Sequence, residues 1–142
     1  MNKAQTFFLI CLIFTLQSCL FGVGLVEEKI SDNIFLTAIN EYDELSIWHS
    51  LDNTSIRNLL VPETVFAIGN DNEFIIVKTH PKNSNNEMNR ELIFYHIIEI
   101  DKIREFGPSQ SVSMVREQFE IKRKELQIPD KLDFEIVFKQ NE

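Results

Sequence analysis

Val65-Phe-Ala-Ile-Gly-Asn70-Asp-Asn-Glu-Phe74-Ile-Ile-Val-Lys-Thr-His80 carries the clearest structural signal in this chain. Two runs rich in β-branched and aromatic side chains, 65–69 and 74–80, flank Asn70-Asp71-Asn72. Gly and Asn tolerate positive φ, so the chain can reverse there, and the expectation is an antiparallel hairpin. Downstream, residues 82–90 hold four Asn and a Ser and read as an exposed, mobile loop. Residues 92–100 form the longest apolar run downstream of residue 26, so they predict a central strand covered on both faces. Asp101-Lys102 turns the chain into a further strand at 103–106, which Gly107-Pro108 stops. Upstream, 34–39 and 45–51 read as strands joined by the polar loop 40–44, and 52–58 as a polar connection. Val61-Pro62 marks an edge, because proline has no N–H for a ladder.

After Pro108 the hydrophobic period changes. Val112, Val115, Phe119 and Leu126 recur at helical spacing, with Met114 and Ile121 beside them and charged residues between. This predicts an amphipathic helix capped by Ser111 or Ser113, with a Glu120–Lys124 pair and an end forced near Ile128 by Pro129. Residues 134–138 alternate and suggest a last strand. Consecutive strands joined by short turns usually pair, so the fold class expected is α+β: an antiparallel sheet of about six or seven short strands with one C-terminal amphipathic helix packed on it.

The 142 residues are 44% apolar and 25% charged, which fits one ordinary core and excludes collagen-like or low-complexity chains. A net charge of -8 argues against nucleic acid, whose phosphates need Lys or Arg to displace counterions. The amino terminus reads as an address. Lys3 precedes the apolar run 7–16, which has the length of a secretory signal core, and Leu16-Gln17-Ser18-Cys19 follows it. That tetrapeptide resembles the lipobox of bacterial lipoproteins. A small Ser18 admits the peptidase, and the Cys19 thiol accepts a diacylglyceryl group. Loss of residues 1–18 removes only Lys3 and takes the charge to about -9. Cys11 leaves with the leader, so Cys19 has no internal disulfide partner. Two alternatives are an uncleaved spanning helix, since 4–26 carries no charge, and free secretion. All three place residues 27–142 outside the cytoplasm. The organisation expected is a signal peptide at 1–18, a tether at 19–33 and one α+β domain at 34–142. Membrane attachment is through the lipid, at the cell membrane or the outer membrane.

Pro62-x-x-Val65, Phe74-Ile-Ile-x-Lys78-x-His80-Pro81, Tyr95-x-Ile-Ile-x-Ile-Asp101, Phe106-Gly-Pro108 and Lys122-Arg-Lys-Glu-Leu126-x-Ile-Pro129 together resemble a family of small, uncharacterised bacterial lipoproteins, a domain of unknown function. The similarity covers residues 34–129. It implies a single lipid-anchored domain and transfers no catalytic residue. The chain departs from the family in a longer loop at 82–90 and extra residues around 111–114.

No residue is assigned to catalysis, metal or cofactor. His96 shares a strand face with Phe94, Ile98 and Ile100 and reads as buried and hydrogen-bonded; His49, beside Leu45 and Ile47, lacks metal-ligand spacing. Lys78 and His80 are the candidate binding residues. Strand parity puts them on one side with Phe74 and Ile76, where a cation and an imidazole could receive an anionic group. No nucleophile elbow or glycine-rich phosphate loop is present. The function expected is therefore a lipid-anchored, non-catalytic interaction domain binding an envelope protein or component. The rivals are a small envelope enzyme or ligand-binding protein using Lys78 and His80, and an inhibitor or immunity-type lipoprotein.

Overall fold

The computed structural model describes residues 25–51, 56–62 and 64–138. The expected leader at 1–18 and Cys19 lie outside these. In chain order the elements are β1 (Val26–Ser31), β2 (Ile34–Ala38), a 3-10 turn (Tyr42–Glu44), β3 (Ser46–Ser50), β4 (Arg57–Val61), β5 (Val65–Asn70), β6 (Phe74–Thr79), β7 (Phe94–Glu99), α1 (Ile100–Phe106), α2 (Arg116–Glu125) and β8 (Glu135–Ile136).

The class is α+β, but the strands divide into two antiparallel four-stranded sheets, ordered β1-β2-β3-β4 and β7-β6-β5-β8, and the described residues hold two α-helices. The single sheet expected from sequence is thus corrected. Both faces of β6 are apolar, and each needs its own cover. Ile75 and Val77 join Ile34, Leu36, Ile47 and Val61 of the first sheet in one core. Ile76 and Tyr95 meet Phe119 of α2, Ile128 and Leu132 in a second. The chain leaves the first sheet at Pro62 and reaches the second through Thr64, whose φ is +76°. Edge placement of Val61-Pro62 is observed, since β4 borders its sheet.

The β5–β6 hairpin forms as expected, by a different device. The Asp71 carboxylate accepts the N–H groups of Glu73 and Phe74, both at 2.8 Å, and no positive φ is used there. Several other expectations are corrected. Residues 26–31, assigned to the tether, form β1, which a two-residue turn with Asn33 at φ +58° folds onto β2. Only Val26 and Ile30 of β1 pack against the core, too little apolar content to mark a strand in the sequence. The loop at 82–90 is mostly exposed, as expected, and carries internal bonds: the Asn83 carboxamide oxygen accepts the N–H groups of Asn85 and Glu87, and Lys82 forms a β-bridge with Met88.

β7 has both faces covered but sits at a sheet edge rather than the centre. Residues 103–106, expected as a strand, belong to α1. Ile100 and Ile103 recur at helical spacing against the core, Asp101 pairs with Arg104 at 2.8 Å, and Gly107 at φ +85° ends the helix. Helix α2 starts after the expected serines: Val115 N–H is held by the Gln118 side chain at 3.3 Å, while Ser111 is engaged elsewhere. Its buried anchor is Phe119; Val112, Val115 and Ile121 are exposed. The ion pair seen on it is Lys122–Glu125 at 3.0 Å. The last strand shortens to the two residues of β8, paired with Ala67 and Ile68 of β5.

Candidate functional site

The register of the first sheet sets up the site. Thr37 pairs with Ser46, Phe35 with Trp48, and Trp48 with Leu59, so these side chains share the face opposite Leu36 and Ile47. An ion pair from Arg57 to Glu27, at 3.1 Å, joins the two edge strands across that face. Flat, those edges would stand about 14 Å apart, so the face is concave. A cleft of about 610 Å³ opens on it. One wall is Thr37, Ser46, Trp48 and Leu59; the other is Thr79, His80, Phe94 and His96, from the ends of β6 and β7. Pro62 and Ile39 extend the apolar lining, and Glu44 and Lys82 stand among its lining residues. The size and the apolar majority suit a small ligand or part of a larger one.

The segment between α1 and α2 runs beside the cleft and is bonded to both sheets. Met114 exchanges both backbone bonds with Tyr95, at 2.8 and 2.9 Å, and Ser111 N–H donates to the Leu60 carbonyl at 2.8 Å. Residues 108–115 therefore strap β7 to β4 and seal the edges of both sheets. Of this segment, Ser113 is among the residues that line the cleft.

His96 is 2% exposed, as the sequence implied, and hydrogen-bonded on both ring nitrogens. Nδ1 lies 3.0 Å from Ser111 Oγ and Nε2 lies 3.2 Å from Thr79 Oγ1. Ser111 has one hydroxyl hydrogen, donated to the Leu60 carbonyl at 3.0 Å, so Nδ1–H donates to Ser111 and Nε2 accepts from Thr79. Burial pushes the imidazole pKa down to about 4, leaving it neutral near pH 7. Serine, histidine and threonine are in contact here, yet no carboxylate orients the ring, and its low basicity makes it a poor proton acceptor. The trio holds the strap to β6 and β7.

His80 is placed differently from the expectation. β6 ends at Thr79, so strand parity no longer governs the next residue. Lys78 lies on the helix-bearing side, its Nζ 4.2 Å from the centre of the Phe134 ring and 5.8 Å from that of Tyr95. His80 lines the cleft instead, stacked on Phe66 at 4.3 Å, its Nδ1 donating to the Leu92 carbonyl at 2.7 Å. The structure does not bring Lys78 and His80 together, and the expected cation–imidazole pair for an anion is corrected. His80 is 3% exposed, and its Nε2 is buried without a partner. Thr37 Oγ1, 7% exposed by residue, is likewise unpartnered, because Ser46 uses the Thr37 carbonyl and Trp48 Nε1–H uses Ser46 Oγ at 2.8 Å.

The two charged lining residues have partners. Hydrogen bonds from Asn40 and Glu41 backbone N–H groups hold the Glu44 carboxyl below its ordinary pKa, and Lys82 lies 3.8 Å from Asp43. His49 sits on β3 away from the cleft, lining a shallow polar recess with Asp32 and Ile103. Among the described residues no group of three His, Cys, Asp or Glu side chains could hold a metal.

A family model described as "Protein of unknown function (DUF3997)" matches residues 31–138. The chain belongs to the DUF3997 family. The match runs from the end of β1 through β8 and contains every residue lining the cleft, while residues 1–30 stand outside it. No curated protein and no solved structure matches the DUF3997 chain. Thr37, Trp48, Leu59 and Phe94 were not singled out from sequence. Alternation puts Thr37 and Trp48 each on one face of its strand, but only tertiary folding brings that face against the end of β6.

Proposed function

We propose that this DUF3997 protein is a lipid-anchored binding domain, held outside the cytoplasm by Cys19, that takes a ligand into the concave-face cleft without transforming it. The observation that carries it is the cleft: a preformed, largely apolar recess whose neutral polar groups converge from both sheets. Lys78 faces Phe134 while His80 lines the cleft, and the buried Ser111–His96–Thr79 contacts serve packing, which supports a binding reading over a catalytic one. The leader and the Cys19 motif support the anchor.

Native mass spectrometry of the full chain, incubated with a detergent extract of cell envelope, tests it. A non-covalent adduct whose ligand leaves at unchanged mass is the expected outcome. Conversion of an extract component that depends on the chain, or no adduct at all, overturns it.

A further inference from the structure

Val26, the first residue of β1, pairs with Ala38, the last residue of β2, and Ile39, which follows, lines the cleft. Pairing of Thr37 with Ser46 and of Ile47 with Val61 brings the start of β3 and the end of β4 to this same end, where Pro62 and Thr64 continue the lining. The chain therefore enters the fold at the cleft. The β1–β2 turn lies at the opposite end, on the order of 20 Å away along the six residues of β1.

With β1 starting at Val26, little chain is left between the fold and Cys19. From Cys19 to Val26 the chain takes seven Cα steps, which reach about 25 Å at full extension and about 15 Å on average. Residues 20–26 carry no charge and include Leu20, Phe21, Val23 and Leu25, so nothing in them favours holding the domain away from a membrane. The two ends of the domain also differ in polarity. Leu25 is 49% and Ile39 67% exposed at the entry end. At the opposite end Lys29, Asp32, Asn70, Asp71 and Arg104 surround a polar recess, with Arg104 3.5 Å from Asp32. Three carboxylates near the entry are engaged: Glu27 by Arg57, Glu44 by backbone N–H groups and Asp43 by Lys82. Glu28 and Glu41 stay exposed, and with a net charge of -8 they suit a zwitterionic surface better than an anionic one.

We propose that the domain is seated on a zwitterionic phospholipid bilayer by the end at which β1 begins, with Ile39 in the headgroup–acyl boundary and the adjoining edge of the cleft turned toward the membrane. This rests on the lipid-anchored reading and adds which surface meets the bilayer. Leu25 and Ile39 alone offer too little apolar area to hold a protein on a membrane, so the anchor supplies attachment and the apolar end sets orientation.

Lipidation consumes the Cys19 thiol and Cys11 leaves with the leader, so a single introduced cysteine takes a nitroxide label alone. Ile39→Cys and Asn72→Cys, both at exposed positions, are each purified as the lipidated chain, labelled and reconstituted into phosphatidylcholine vesicles. Oxygen concentrates in the bilayer and a nickel chelate stays in water. The expected result is that the label at 39 collides several-fold less often with the chelate than the label at 72, and more often with oxygen.

Equal chelate collision at the two positions, or stronger shielding at 72, overturns the seating, while flotation of the same chains with the vesicles leaves the anchor standing. Failure to float overturns the anchor and the seating together. Shielding at 39 with spin–spin broadening that disappears on dilution with unlabelled chain means that a second copy covers this end, and it also overturns the proposal.

Discussion

Burial of His96 between two hydroxyls makes the folded chain resist its protonation. The folded pKa is depressed to about 4 and the unfolded one is near 6.5, so between these values the unfolded state binds the extra proton. Stability from this residue is therefore fully present above about pH 6.5 and is lost as pH falls toward 4, by on the order of 3 kcal/mol. Urea unfolding at pH 7.5 and pH 4 should show that loss, and His96→Gln, starting less stable, should lack this part of the pH slope. Gly69 makes a second residue-scale prediction. A Cβ there would stand 2.2 Å from the Asp133 carbonyl oxygen, a backbone atom that cannot swing aside. Gly69→Ala should lower unfolding free energy by about 1–3 kcal/mol in the same assay, with separation of β8 from β5 as the visible cause. The burial of His96 was legible from its apolar strand companions. The cleft role of His80 was not, since it depends on where β6 stops.

Among the elements, α2 is held by one aromatic knob. Phe119 is fully buried, stacks on Tyr95 at 4.9 Å and lies 5.7 Å from Phe134, whereas Val115 and Ile121 of the same stretch face solvent. Phe119→Ala should cost about 3–5 kcal/mol and loosen the helix together with the 126–134 segment, read as faster amide exchange there than in β2 or β3. Helical spacing after Pro108 revealed that this element exists. It misplaced the start, because residues 108–115 have backbone partners on β4 and β7 that outcompete a helical turn. The 103–106 segment shows the same ambiguity in reverse. Ile100 and Ile103 fit a strand or a short helix locally, and the helix wins by setting both against the core.

For the molecule as a whole, the proposed anchor and the domain lead to separate predictions. The full chain expressed in its native envelope should take up radiolabelled palmitate and sediment with membranes. Cys19→Ser should do neither, while its domain keeps the wild-type melting temperature, because both apolar cores are built from residues within 26–138. Retention of the serine variant in the membrane fraction would favour an uncleaved helix instead. The three-layer arrangement follows from strands that are apolar on both faces. Ile75 and Ile76 are both 0% exposed although they point in opposite directions, so the second sheet had to be covered twice.

Local periodicity and turn chemistry by themselves determined the β5–β6 hairpin, the presence of α2, the break at Pro62 and the buried state of His96, because each depends on neighbours a few residues apart. Tertiary structure alone decided that the strands form two sheets, that β7 lies at an edge, and that Thr37, Trp48, Phe94 and His80 surround one cleft. Those outcomes depend on which apolar face finds which cover, and strand alternation specifies a face without specifying its partner.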